Sequence, residues 1–177
     1  MENSVEMFKN KIRRIPDWPK KGIIFLDITP LLNDEKCFQE IINILYERYK
    51  DKKINKVVGI ESRGFIIGSA LAYKLSAGFV PIRKFGKLPW KKITEEYELE
   101  YGKDKIEMHK DAISENDNVI LIDDLIATGG TAKAAANLIK KLGGKIIECC
   151  FLIELKSLSG RKVLEENGYK VFSLIQE

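Results

Sequence analysis

From residue 56 onward, the chain repeats a pattern in which a short apolar run is followed by a helical segment and another apolar run. The first copy comprises residues 56–60, 64–75 and 79–82, and the second comprises residues 119–122, 131–142 and 146–155. The apolar runs are rich in β-branched residues and lack polar alternation, which is typical of strands buried on both faces. The pattern therefore predicts an α/β fold, with a parallel sheet covered by helices on both faces.

The N-terminal residues 1–33 follow a different pattern. Prolines at positions 16, 19 and 30 surround a short apolar run at residues 23–26. Beyond them, apolar side chains recur at helical spacing from Phe38 to Tyr49, and Asn33 or Asp34 could cap that helix. The chain length is typical of one domain, so we expect a single domain over residues 1–177 with a small N-terminal hood at about 1–33.

Residues 84–109 separate the two strand–helix–strand copies and are rich in charged and aromatic side chains. Segments 98–101 and 106–108 have the pattern of two hairpin strands. A connection this long and polar is common among loops that bind ligands. We therefore predict an extended hairpin that serves as a lid over a binding site.

The charge balance limits the classes of partner. The 177 residues carry 30 Lys and Arg against 26 Asp and Glu, a formal net charge of +4, and 45% of them are hydrophobic. This composition is that of a globular protein and excludes a disordered or fibrous chain. The positive excess is too small to favour nucleic acid, and no apolar run is long enough to span a membrane, so neither partner is expected.

The cysteines and the histidine exclude some kinds of site. Cys37, Cys149 and Cys150 form no disulfide framework, and the adjacent pair lies in an apolar run. We expect buried thiols and a cytoplasmic location, where cysteines stay reduced. The single histidine, His109, excludes any metal site that needs two imidazoles from one chain.

The junction after the strand at residues 119–122 has the chemistry of a phosphate site. Asp123 and Asp124 follow the apolar run, and the turn Ala127, Thr128, Gly129, Gly130 and Thr131 leads into a helix. Glycines let backbone amides approach an anion, hydroxyls add donors, and a helix N-terminus carries partial positive charge. A plain turn is the simpler alternative, but two acids and two threonines beside it favour phosphate binding. The loop is neither a Walker loop nor a dinucleotide fingerprint, because the lysine and the glycine spacing are absent.

A second strand-to-helix junction carries Arg63 beside Gly64. A guanidinium at a helix start can bind a phosphate in bidentate fashion, although Arg63 could equally be a solvated cap. In parallel sheets, ligands bind at the carboxyl ends of the strands. Two anion sites at that edge would suit a substrate with two separate phosphate groups.

Residues 119–131 resemble the signature of the type I phosphoribosyltransferases, and further segments are similar to the branch of that family that uses adenine. These segments are residues 25–30 (FLDITP), 61–65 (ESRGF), 82–89 (IRKFGKLP), 97–103 (YELEYGK) and 127–131 (ATGGT). They occur in the order of that family, and the similarity extends from about residue 12 to residue 176. The resemblance implies the type I phosphoribosyltransferase fold, a homodimer, and the conversion of adenine and phosphoribosyl pyrophosphate to AMP and pyrophosphate with Mg²⁺.

The resemblance also implies roles for the residues of both junctions. Residues 127–131 would hold the 5′-phosphate of the ribose, and Asp123 and Asp124 would bind its 2′- and 3′-hydroxyls. Arg63 would stabilise charge on the pyrophosphate together with Mg²⁺, which the substrate itself would mainly hold. The bond between Glu61 and Ser62 would be a cis peptide. The basic residues Arg83, Lys84 and Lys87 suit the same pyrophosphate, although by themselves they resemble an ordinary solvated surface.

For the purine, the resemblance implies stacking on Phe25 and recognition by backbone groups near Ile24 and Leu26. Without the resemblance, Phe25 would be read as a core residue. The family usually carries Arg or Lys where this chain has Leu26, so any charge contribution from that side chain is lost here.

The resemblance makes Glu100 the catalytic acid–base group, and Tyr101 would close the site from water. The alternative for acids in a charged hairpin is solvated edge positions. A phosphoribosyltransferase for a 6-oxopurine and a non-catalytic regulator that senses the same ligands are the competing functions. A regulator of that kind normally needs a DNA-binding domain, which about 20 residues before Gly22 cannot form.

Overall fold

A computed structural model describes residues 2–99 and 102–177, apart from the side chains of residues 2 and 99. The chain divides into two compact units, Met1–Glu47 and Arg48–Glu177. Among the described residues, no helix is long and apolar enough to cross a membrane.

The first unit combines helices with a small two-stranded sheet. Its elements are α1 (Glu2–Lys11), β1 (Arg13–Pro16), β2 (Ile24–Asp27), α2 (Thr29–Asn33) and most of α3 (Glu35–Tyr49). Strands β1 and β2 pair antiparallel. The Asp34 carboxylate accepts a hydrogen bond from the Cys37 amide at 2.8 Å, which confirms Asp34 as the predicted N-cap of α3.

The second unit is built around a seven-stranded sheet. Its elements are β3 (Lys56–Ile60), α4 (Arg63–Leu75), β4 (Gly78–Lys84), β5 (Lys92–Leu99), β6 (Gly102–His109), β7 (Asn118–Ile126), α5 (Gly130–Lys141), β8 (Lys145–Glu154), a 3₁₀ turn (Lys156–Leu158), α6 (Gly160–Glu166) and β9 (Val171–Gln176). The strand order is β5-β6-β4-β3-β7-β8-β9. The five strands from β4 to β9 in that order are parallel, which confirms the predicted α/β class.

The two long helices of this unit cover opposite faces of the sheet. Val58 and Leu121 belong to the buried cluster that also contains the alanines of α5. Side chains alternate along a strand, so the neighbouring Gly59 and Ile122 face the other way, towards α4. A Cβ atom at Gly68 of α4 would lie 2.9 Å from Cγ2 of Ile122, so α4 packs close to the sheet.

The predicted hairpin is present, and its base is part of the sheet, but its first strand is Lys92–Leu99, so the predicted bounds of 98–101 were wrong. Strands β5 and β6 pair antiparallel, and β6 also pairs with β4 through Arg83 and Glu107. Ile106 and Met108 of β6 are buried. The sequence pattern suggested a polar excursion, but these two apolar side chains complete the core at the sheet edge. The lid function remains a prediction, and Glu100 and Tyr101 lie outside the described residues.

Strand β7 is longer than its apolar run indicated. We expected Asp123 and Asp124 to follow the end of the strand, but both lie within β7, which continues to Ile126. The reason is the pairing with β8, which continues to the pair of Ile126 and Glu154. Hydrogen bonding to a longer neighbour therefore holds two acidic residues in extended conformation.

Candidate active site

The two aspartates of β7 lie where that strand extends beyond β3. The last residue of β7 that pairs with β3 is Ile122, opposite Gly59. Asp124 is buried, and its Oδ2 atom lies 2.8 Å from Nε of Arg63, the first residue of α4. The structure thus brings the two predicted anion-binding junctions together through one ion pair.

The environment of Asp123 and Asp124 raises the pKa of both carboxyl groups. Burial at the carboxyl end of β7 raises the pKa of Asp123 well above its ordinary value, and the adjacent Asp124 carboxylate adds to this effect. Burial also raises the pKa of Asp124, although the Arg63 guanidinium acts against this. Carboxylate oxygens accept hydrogen bonds, so this pair can bind the hydroxyls of a sugar.

Helix α4 begins in close contact with β7. A Cβ atom at Gly64 would lie 2.8 Å from Oδ1 of Asp123 and 3.0 Å from the carbonyl oxygen of Ile122. A Cβ atom at this position would require the Asp123 side chain or the start of α4 to shift. Gly64 therefore sets the separation between the start of α4 and the aspartates, a role that the sequence analysis did not assign to it.

The predicted phosphate loop forms a small cavity before α5. Asp123 and residues 125–132 line this cavity, which has a volume of about 110 Å³. Gly129 has a φ of 83°, and a Cβ atom there would lie 2.8 Å from the carbonyl oxygen of Gly160. Glycine is needed at 129 both for its backbone conformation and for this contact with the start of α6. The cavity opens at the N-terminus of α5, a position that favours anions.

Glu61 contacts basic residues at the end of β4 and just beyond it. Its carboxylate accepts hydrogen bonds from Lys87 Nζ at 2.6 Å, from the Lys84 amide at 2.9 Å, and from Arg83 Nη2 and Nε at 3.2 and 3.3 Å. Burial alone would raise the pKa of Glu61, but these hydrogen bonds outweigh it and lower the pKa to about 2. The peptide bond between Glu61 and Ser62 is cis, as the resemblance implies.

The hairpin lies against the phosphate loop and α5. The Tyr97 hydroxyl donates to Asp104 at 3.1 Å and also has a hydrogen bond with Thr131. Glu95 accepts hydrogen bonds from Asn137 and Lys141 of α5. The contacts of Tyr97 and Glu95 were not predicted from the sequence. The two residues are two positions apart on a strand, which places their side chains on the same face, and this spacing could have indicated a shared surface.

The candidate purine-binding residues lie in the first unit, on β2. Ile24 is exposed, Phe25 is half-buried and Leu26 is buried. The Phe25 ring packs edge-on against Trp18, with the ring centroids 4.3 Å apart. Phe25 therefore has an exposed neighbour rather than a closed core around it, and its role in stacking stays a prediction.

Comparison with known proteins identifies the class of protein to which this fold and loop belong. The family model of the phosphoribosyl transferase domain matches residues 27–177, which include both strand-end junctions. The chain is therefore a member of the phosphoribosyltransferase family.

Individual relatives define the branch. The chain is 57% identical over 168 residues to the adenine phosphoribosyltransferase of Methylobacillus flagellatus, with 95% of this chain and 96% of that protein covered. The crystal structure of the Rhodothermus marinus adenine phosphoribosyltransferase superposes with a TM-score of 0.95, at 49% identity over the full length of both chains. The Saccharomyces cerevisiae enzyme, solved with adenine and an imino-altritol bisphosphate, has a TM-score of 0.92 and 40% identity, with 99% of this chain and 100% of that chain covered. Within its family, the chain belongs to the adenine phosphoribosyltransferases.

Proposed function

We propose that the protein transfers the 5-phosphoribosyl group of phosphoribosyl pyrophosphate to adenine, which yields AMP and pyrophosphate in purine salvage. One structural observation supports this proposal. Arg63 forms an ion pair with Asp124, and the neighbouring Asp123 lines the cavity of the phosphate loop, so the aspartates of β7 connect the two anion-binding elements. Phosphoribosyl pyrophosphate has a phosphate at one end and a pyrophosphate at the other. A site with two anion-binding elements separated by sugar-binding carboxylates is complementary to it.

The described residues of the second unit divide into three groups by role. The amides and hydroxyls of residues 127–131 bind the 5′-phosphate, and Asp123 and Asp124 bind the ribose 2′- and 3′-hydroxyls. Arg63 and the basic group Arg83, Lys84 and Lys87 bind the pyrophosphate, whose negative charge increases as the bond to the ribose breaks. Preorganised cations at the position of developing charge lower the barrier to such a transfer.

Magnesium is the cofactor that we propose, held mainly by the substrate. No group of three or more His, Cys, Asp or Glu side chains that could hold a metal ion occurs in the part of the chain that the structure describes. This fits Mg²⁺, which commonly binds through substrate phosphates and one or two carboxylates. The two carboxylates of β7 are the available protein ligands, and the bound ion would neutralise charge on the pyrophosphate.

For the base, we propose stacking of adenine on Phe25, with backbone groups near Ile24 and Leu26 reading its hydrogen-bonding edge. A ring nitrogen of the purine attacks the ribose carbon as pyrophosphate leaves. Glu100 accepts the proton that the ring must lose, and it returns that proton in the reverse reaction. Tyr101 closes the site from water.

We also propose that the chain works as one functional domain over residues 1–177, as a homodimer in the cytoplasm. The three cysteines are unpaired and buried, as expected of a protein kept in a reducing compartment.

The experiment that tests the function compares adenine, hypoxanthine and guanine as acceptors, with Mg²⁺ and phosphoribosyl pyrophosphate. Adenine should be used far better than the other two, because a site that pairs with a 6-amino group leaves polar groups unpaired against an oxo group. Equal or better turnover of hypoxanthine would assign the protein to the 6-oxopurines. No turnover of any base, with ligand binding retained, would indicate a regulator.

A further inference from the structure

Glu61 occupies a central position between two strand ends. It follows β3 directly, and its amide donates to the Ile82 carbonyl of β4 at 3.0 Å. Its side chain is only 9% exposed, yet it accepts hydrogen bonds from the side chains of Arg83 and Lys87 and from the Lys84 amide. One carboxylate thus fixes two cations and the backbone of the turn between them.

A second carboxylate holds the same turn from the other side. Glu107, which is fully buried, accepts a hydrogen bond from the Gly86 amide at 3.0 Å and forms an ion pair with Lys92 at 3.1 Å. The turn of residues 84–87 therefore has a second support at the Gly86 amide, besides the hydrogen bond from the Lys84 amide to Glu61. The contacts of Glu61 with the two cationic side chains are additional to that support.

The cations keep donors that face outward. Arg83 uses Nε and Nη2 towards Glu61, which leaves its Nη1 group, and Lys87 uses only part of its ammonium group. The side chains of Arg83 and Lys87 are 35% and 49% exposed, whereas that of Glu61 is nearly buried. An anion that approaches the carboxyl end of β4 would therefore meet the cations before it meets the carboxylate.

We propose that Glu61 is a positioning residue that holds Arg83 and Lys87 in a pre-formed site for the pyrophosphate group of the substrate. This inference rests on the proposed function. Long cationic side chains lose considerable rotamer entropy when an anion fixes them, and a carboxylate that has already fixed them removes part of that loss. We expect this gain to exceed the repulsion between Glu61 and the incoming anion, because the two cationic side chains are far more exposed than the Glu61 carboxylate.

The test compares Glu61→Gln and Glu61→Asp with the parent enzyme, and Glu166→Gln serves as a control for the lost charge. Glu166 forms only an exposed pair with Lys162, at 3.8 Å. We expect Glu61→Gln to raise the KM for phosphoribosyl pyrophosphate and the Kd of inorganic pyrophosphate with Mg²⁺ about tenfold. The KM for adenine and the Kd of AMP should change less than twofold, Glu61→Asp should recover part of the loss, and Glu166→Gln should match the parent.

Three results would overturn the inference. They are an unchanged or lower Kd for pyrophosphate, equal losses for pyrophosphate and AMP, and a full effect of Glu61→Gln in a Lys87→Gln background. The last is a double-mutant cycle, in which residues that act together give less than additive effects. If Glu61→Gln does not fold, the same comparison is made with Glu61→Asp. If the parent binds pyrophosphate but makes no AMP from adenine, the proposed function fails, and the calorimetric comparison still decides the role of Glu61.

Discussion

Arg63 and Asp124 form an ion pair, with 2.8 Å between Nε and Oδ2, that joins the first residue of α4 to β7. The family resemblance implies that these residues bind different parts of the substrate, Asp124 the ribose and Arg63 the leaving group. In the structure, the Arg63 guanidinium also compensates the buried carboxylate of Asp124. Substitution of either residue should therefore affect both ligand binding and the charge balance of the site.

Arg63→Ala should weaken binding of phosphoribosyl pyrophosphate much more than binding of AMP, because AMP has no group at the pyrophosphate position. A hydrogen bond to a charged group contributes about 1.5–3 kcal/mol, so the affinity for phosphoribosyl pyrophosphate should fall by at least about tenfold. Calorimetric titration of both ligands measures the difference. Equal losses would mean that Arg63 acts only through Asp124.

The double variant Arg63→Ala with Asp124→Asn controls for that second effect. Arg63→Ala alone leaves Asp124 buried without its cation, which destabilises the fold. The double variant removes the unpaired charge and should recover part of the lost free energy of unfolding, measured by urea titration. It should not recover the affinity for phosphoribosyl pyrophosphate.

Glu100→Gln should lower turnover by about 10²-fold or more, the scale of a positioned acid–base group. Binding of phosphoribosyl pyrophosphate should change little, because the proposed role of Glu100 concerns the base. Glu98→Gln is the matched control, and its steady-state kinetics with adenine should stay close to the parent. Near-parental turnover of the Glu100 variant, or a loss in the Glu98 variant instead, would contradict the assignment.

Thr128→Ala should weaken the binding of phosphoribosyl pyrophosphate and of AMP by similar factors, since both ligands carry the 5′-phosphate. Thr128 is exposed, so loss of its hydroxyl should leave the unfolding midpoint unchanged. Gly129→Val should weaken the binding of both ligands more strongly. It should also destabilise the fold, because the new side chain would clash with the backbone of Gly160. Calorimetry and thermal unfolding of the two variants separate these effects. Unchanged AMP affinity in both would place the 5′-phosphate elsewhere.

The cysteines of the folded protein should not react with thiol reagents. Cys37, Cys149 and Cys150 are buried, and burial raises the pKa of Cys149 and of Cys150 to about 12. At pH 8 almost no thiolate is present to act as a nucleophile. Mass spectrometry after brief alkylation should show no label on the native protein and three labels after denaturation. Rapid labelling of the native protein would show that one of these side chains is accessible.

Glu148→Gln should destabilise the protein by about 1.5–3 kcal/mol at pH 7, the range for hydrogen bonds to a charged group. Glu148 is buried and accepts hydrogen bonds from Arg48 at 2.6 and 2.8 Å and from Tyr49 at 2.8 Å. Burial alone would raise its pKa, but these partners lower it below the ordinary value of 4.5.

A lowered folded-state pKa has a defined consequence for acid stability. The contribution of Glu148 is present above its unfolded pKa and is lost as the pH falls through the lower folded value. Urea titrations between pH 7 and pH 3 should therefore show a flatter decline for Glu148→Gln than for the parent. Tyr49→Phe keeps the carboxylate and its Arg48 partner but loses one hydrogen bond, so its slope should lie between those of the parent and Glu148→Gln. Identical slopes in all three proteins would contradict the prediction.

The parallel core could be predicted from the sequence because its strands are continuous apolar runs. Strand β3 has the predicted bounds, whereas β7 extends four residues further than its apolar run, to Ile126. That extension depends on hydrogen bonds to β8, which hydrophobicity along one strand does not reveal. Helix α1 was not predicted, since among its described side chains, residues 3–11, only Phe8 is buried and most of the others are polar.

The site could be predicted where the chemistry is local, as in the loop of residues 127–131. The roles that depend on distant partners could not. Glu61 meets Arg83 across 22 positions of the chain, and each residue by itself looks like an ordinary surface charge. A side chain that positions another residue leaves no local sequence pattern. Its partner can be identified only when the fold is known.

The lack of a side chain at Gly64 allows the start of α4 to pack closely against β7. A Cβ atom at Gly64 would lie 3.0 Å from the Ile122 carbonyl oxygen and 3.1 Å from Cα of Asp123, so main-chain atoms, which have little freedom to adjust, limit the approach of the helix to the strand. A single methyl group there would lift the start of α4 and move the Arg63 guanidinium away from its carboxylate partner. The glycine at position 64 therefore controls the distance between Arg63 and Asp124, although it takes no part in their ion pair.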